Sequence, residues 1–174
     1  MPILPKERDP RLITLRRGGS LTDDAHHLLA AWAIECAEQV LPLFESEAPD
    51  DARVREALEA GRAWIRGELR MSDARQAAFG ANAAAREKPD PARLAALSAG
   101  QAAAVPHVAA HELGAAAYAV RAARAAALAA GEDGEAARRA ERDRQRARLP
   151  EAVRDLVLDD QRQRSSICWG AFDD

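Results

Sequence analysis

Apolar residues recur three and four positions apart from Thr22 towards the C-terminus, and no segment alternates with the period of two that a strand requires. The first helical stretch is the clearest. Thr22 stands as a cap ahead of Asp23 and Asp24, whose negative charge suits a helix N-terminus. Leu28, Leu29, Trp32, Ala33, Cys36 and Val40 follow on one stripe, while Ile34 and Leu41 lie well off it. A helix apolar on more than one side belongs at the centre of a bundle. Pro42 is expected to end or kink this helix.

Pro49, Asp50 and Asp51 signal a second start, after which Val54, Leu58, Gly61, Ile65 and Leu69 share a face with Trp64 at its edge. Gly61 on that face predicts close approach of another helix, and Gly67 weakens the end. A third helix takes Ser72 as its cap and Phe79 as its one large residue. The longest helical stretch begins at Asp90, a second candidate cap, with Pro91 at the first helical position. Pro106 sits inside it and predicts a kink. Gly131 to Gly134 read as a turn. The run "EAARRAERDRQRAR" after it has almost no large apolar residue and reads as a solvated helix or a partly disordered segment. Pro150 opens a better-patterned helix through Val153, Leu156, Val157 and Gln161. Ile167, Trp169 and Phe172 then close the chain in a tail expected to pack back on the bundle.

Residues 1–20 hold three prolines and the pair Gly18-Gly19, and predict an extended arm ordered by docking of Leu12, Ile13 and Leu15. Residues 21–174 predict an all-α domain, a single bundle of about five to seven helices with a kinked central helix. The helices after Thr22 and Asp90 are placed at its centre. Hydrophobic residues make up 48% of the chain but aromatics only 4%, so much of the apolar content is alanine. The core should be closely packed small residues studded with a few large ones. The net charge of −3 marks neither a nucleic-acid binder nor a membrane binder. Cys36 and Cys168 have no metal-ligand spacing and read as free thiols of a cytoplasmic protein, with Cys36 inert on its apolar stripe. No apolar run is long enough for a signal peptide or a membrane span. The Ala/Arg-rich usage suggests a bacterial chain.

Chemistry rests on four histidines. His26 and His27 are adjacent, and His107 and His111 are four residues apart, near Gly100, Ala104, Gly114 and Tyr118 on a helical wheel. One reading is a metal site of His107, His111 and one of His26 or His27, which would activate water in a hydrolase or transferase. That layout is similar to the metalloenzymes of the DinB-like helical bundles. The other reading, which the stripe of small residues favours, is a buried and hydrogen-bonded pair within the core. No glutamate precedes the second pair as in HExxH, and phosphate-loop, nucleophile-elbow and paired ExxH motifs are absent. No cofactor is expected. Glu45, Glu47, Asp50 and Asp51 cluster around a turn between helices, with Arg53 and Glu56 beside them. They read as a solvated loop or as a patch for a basic partner.

Four stretches together carry a resemblance: "HHLLAAWAIECAEQVLPLFE", "REALEAGRAWIRGE", "AAAVPHVAAHELGAAAYAVRAA" and "LPEAVRDLVLDDQRQRSSICW". They resemble the type-five-like immunity proteins of bacterial polymorphic toxin systems, over about residues 20–170. The resemblance implies an all-helical cytoplasmic antitoxin that binds a cognate toxin domain and blocks it without catalysis. It also implies structural histidines, and with the charge above no nucleic-acid or membrane partner is expected. The acidic turn, Glu45 to Glu56, is then the expected contact surface.

Overall fold

The hydroxyl of Thr22 accepts a hydrogen bond from the backbone N–H of Ala25 (3.2 Å), and from that cap the first helix, α1, runs Asp23–Glu45. The computed structural model describes residues 3–86 and 88–174. Among these residues α1 is followed by α2 (Arg53–Ile65), α3 (Met71–Ala85), α4 (Ala92–Ala104), α5 (Glu112–Ala129), α6 (Gly134–Ala147) and α7 (Glu151–Arg164). Short 3-10 turns occupy Pro10–Leu12, Leu15–Arg17, Ala109–His111 and Ser166–Cys168. The described residues form no strand, only an isolated bridge between Thr14 and Leu21. The fold is an all-α bundle. No helix among the described residues is long and apolar enough to cross a membrane.

α1 is central, packed against α2, α4 and α5, which is why Ile34 and Leu41 are buried along with Leu29, Trp32 and Val40. α3 flanks α2 and α4, α6 covers α5, and α7 returns to α1 and α5. The buried positions of α4 and α5 are largely alanine, Ala95, Ala99, Ala102, Ala115, Ala116 and Ala119 among them. Small side chains let the helices approach closely, so the contact is made by backbone-proximal atoms at near-crystalline density. Gly61 serves the same purpose at α2, where a methyl group would stand 2.9 Å from Ile34 Cδ1. The Ser98 hydroxyl donates to the carbonyl of Ala115 (2.7 Å) and so pins α4 to α5.

Local signals and structure part at several points. Pro42 does not end α1, which continues through Glu45. Phe44, fully buried two residues on, anchors the last turn despite the missing N–H. Ser72 is not a cap: α3 starts at Met71 behind Arg70, and the Ser72 hydroxyl turns to Asp73. Asp90 does not cap α4 either, because its carboxylate is taken by the Arg93 guanidinium (2.9 Å). Pro106 breaks the long helix rather than kinking it. α4 stops at Ala104, Val108 is extended (φ −142°, ψ 109°), and the turn Ala109–His111 leads into α5. The proline ring excludes the carbonyl four residues back, and here the chain changes direction instead of bending.

The charged run is neither solvated all round nor disordered. It is α6, capped by Asp133, whose Oδ1 accepts from Glu135 and Ala136 (2.9 and 3.0 Å). Its buried Glu141, Arg142 and Gln145 face the bundle, and the Trp32 indole of α1 donates to the Gln145 carbonyl (3.0 Å). Arg138, Arg142 and Arg146, one turn apart, reach the tail. Arg138 donates to the carbonyls of Ala171 and Asp173 (3.1 and 2.8 Å), Arg146 to that of Phe172 (2.8 Å), and Arg142 also to Asp173. Phe172 is buried beneath them. Trp169, in contrast, remains 37% exposed, lying under the Arg121 guanidinium (4.1 Å to the ring centre) and beside Tyr118. In the arm, Leu12 is buried and Ile13 half-buried, whereas Leu15 is 61% exposed and does not dock.

Candidate functional site

The break at Pro106 decides where the histidines go. His107 and His111 are not successive turns of one helix, and their rings diverge. His111 Nδ1 lies 2.7 Å from the Gln101 side-chain oxygen, beneath α4 and α5. Burial, with His107 and Arg164 adding repulsion, lowers its pKa to about 4. The expected hydrogen-bonded histidine is therefore found at position 111, where the ring is half-buried. At position 107 it is not: that ring is half-buried, and its Nδ1 is shielded from water with no hydrogen-bond partner.

His107 instead faces a cleft of about 500 Å³ that it shares with His26, His27 and Trp64. This is the size of an ordinary small-molecule site. His26, on the first turn of α1, is buried and bonds through Nε2 to the Val105 carbonyl (2.8 Å), linking α1 to the end of α4. Burial lowers its pKa, opposed by that bond. Trp64, at the end of α2, meets both early histidines edge to face, at 4.9 Å from His26 and 4.7 Å from His27. The arm supplies the outer wall with Arg8, Arg16 and Arg17. Arg16 pairs with Asp23 (3.0 Å), and Arg8 and Arg17 form no ion pair among the described residues. His107 is held towards its neutral form by burial first, then by the charges of Arg75, Arg17 and Arg8.

These positions bear on both sequence-based readings of the histidines. Three of them line one cleft and the fourth turns to Gln101. Among the described residues no group of three His, Cys, Asp or Glu side chains is arranged to hold a metal ion. Cys36 is fully buried, and burial pushes its thiol pKa far above the usual range. That of Cys168 is pushed up to about 12. Burial thus disfavours the thiolate at both positions.

The acidic turn lies apart from this cleft, between α1 and α2. Glu45 accepts from Arg55 (2.8 Å), and Asp51 accepts from Arg53 (2.8 Å), a bond that lowers the Asp51 pKa. Glu47, Asp50 and Glu56 are exposed and carry no ion pair among the described residues. The turn is thus a solvent-facing acidic patch with two of its carboxylates already satisfied from within.

Residues 19–152 match the family described as Imm-5 like putative immunity protein. The chain belongs to this family. The matched span takes in α1 to α6 whole, and with them the acidic turn and the histidine-bearing walls of the cleft. Arg8, Arg16 and Arg17 precede it and the tail follows it. No curated protein and no solved structure matches this immunity-family chain.

Sequence reasoning missed two groups here. The arm arginines gave no signal beyond the "RR" pair, because their place beside α1 depends on how residues 8–21 fold back on it. The α6 arginines did leave one: positions 138, 142 and 146 recur every four residues and form a single stripe.

Proposed function

We propose that this chain neutralises a cognate toxin of a bacterial polymorphic system by binding it in the cytoplasm, with no catalysis of its own. Membership of the immunity family over residues 19–152 is the observation that carries this reading. A rigid helical bundle with charged turns is the scaffold such an inhibitor needs. The acidic turn is the proposed contact surface. Glu47, Asp50 and Glu56 point into solvent and would steer a basic toxin face, while Glu45 and Asp51, held by Arg55 and Arg53, keep the turn in shape. A stable complex would bury roughly 1,200–2,000 Å² in total, so apolar contacts must join these charges. The metal-dependent hydrolase or transferase reading through His26, His27, His107 and His111 needs three converging ligands, and the described residues do not assemble them.

The test is co-expression with the toxin encoded by the neighbouring reading frame. Wild-type protein should restore growth and bind the purified toxin domain in calorimetry. Failure of both rescue and binding would refute the immunity reading. Rescue that depends on metal loading of His107 and His111 would show that binding alone is not the mechanism.

A further inference from the structure

We infer that the cleft between the arm, the start of α1 and the Pro106 break binds a phosphate-type oxyanion, either free phosphate or the phosphate group of a small organic phosphate. This goes beyond the immunity reading and stands without it. The first ground is charge. The chain carries a net −3, yet the cleft wall holds three arginines and a single aspartate, Asp23, already paired with Arg16. Arg8 and Arg17 are left without a counter-ion among the described residues, and both act on His107. The second ground is His107 itself, which lines the cleft with neither ring nitrogen in a hydrogen bond among the described residues. An oxyanion in the cleft would supply what both lack: charge for the guanidinium groups and an acceptor for an imidazole N–H.

The stretch that presents Arg16 and Arg17 is a built turn; Arg8 reaches the cleft from the chain before it. Leu15 N–H donates to the Leu21 carbonyl (3.1 Å) and Leu21 N–H to that of Ile13 (3.0 Å), closing residues 13–21 into a loop. Gly18 takes a left-handed φ of 84°, and at Gly19 a methyl group would stand 2.0 Å from the Ile13 carbonyl oxygen. Only glycine fits at position 19, so the turn keeps its shape, and Arg17 on it lines the cleft. Guanidinium forks match a tetrahedral oxyanion with paired N–H donors, which a lysine cannot do. The volume of about 500 Å³ admits a nucleotide-sized molecule, with the half-buried Trp64 as the wall for an organic body.

Titration of the full chain at constant ionic strength with inorganic phosphate, and separately with adenosine monophosphate, tests this. Imidazole NMR resonances of His27 and His107 should shift and saturate, and the two compounds should compete. Equal affinities would assign the site to the oxyanion alone, and tighter binding of the nucleotide would add the Trp64 wall. Replacing both exposed arginines, Arg8→Ala with Arg17→Ala, should weaken binding at least about tenfold without lowering the melting temperature. His107→Gln should weaken it independently, and Arg139→Ala on the far solvated side of α6 should not. Shifts that never saturate, or equal binding by the double variant, would overturn the proposal. No toxin enters this experiment, so its failure leaves the immunity reading standing.

Discussion

The α4–α5 interface and the seam between α6 and the C-terminal tail close the same bundle by opposite means. Between α4 and α5 the contact is alanine on alanine, with Leu94, Leu113 and Val120 filling what remains. At the seam, three arginines one turn apart bind the backbone carbonyls of Ala171, Phe172 and Asp173. Apolar contact is non-directional and tolerates any neighbour of the right shape. A guanidinium-to-carbonyl bond needs a particular chain direction and supplies acceptors with the donors they would otherwise lack. Residues with little to bury can therefore still dock a segment, provided that an irregular stretch lies alongside with free carbonyls.

The sharpest way to break this contrast is to cut each side in turn. Leu113→Ala removes a fully buried side chain from a wall that cannot collapse, and should cost about 2–5 kcal/mol in urea unfolding. Truncation after Ser166 removes Phe172 and Trp169 and strands the α6 arginines. It should cost about 1.5–3 kcal/mol for the lost aromatic burial. A truncated protein that melts with the wild type would mean that the seam holds nothing, and the comparison would fall.

The histidines offer a finer probe of burial. His111→Ala leaves Gln101 without its ring partner and should cost about 1–3 kcal/mol, more than His27→Ala at the cleft. The sign of the pH effect follows from the pKa of His111, about 4 when folded against 6.5 unfolded. A depressed histidine pKa contributes stability above the unfolded value, and that stability is lost as pH falls towards the folded one. The stability gap between wild type and His111→Gln should therefore narrow between pH 6.5 and about 4, measured by denaturant titration at each pH. The smallest effect belongs to the acidic turn. The double change Glu47→Lys and Asp50→Lys touches exposed side chains and should move stability by no more than about 0.5 kcal/mol. Slower toxin association in stopped-flow would place the contact there, and an unchanged rate would move it elsewhere.

Periodicity, capping and composition, all local properties, were legible in the chain. The Thr22 cap, the central place of α1, the close approach at Gly61 and the alanine core followed from them, because a helix is set by residues three and four apart and its burial by the face they share. The family resemblance was legible too. What required the tertiary structure was whatever joins distant segments. Ser72 and Asp90 have the chemistry of caps, but a neighbouring helix or an arginine decides whether a cap is used. Pro106 forbids one hydrogen bond, and only the packing of α4 against α5 decides between a kink and a break. The pairing of His107 with His26, His27 and Trp64, and the docking of α6 on a tail some thirty residues further on, have no local signature. Their partners are set by where the chain returns, and long-range geometry is carried by the packed whole rather than by any stretch of it.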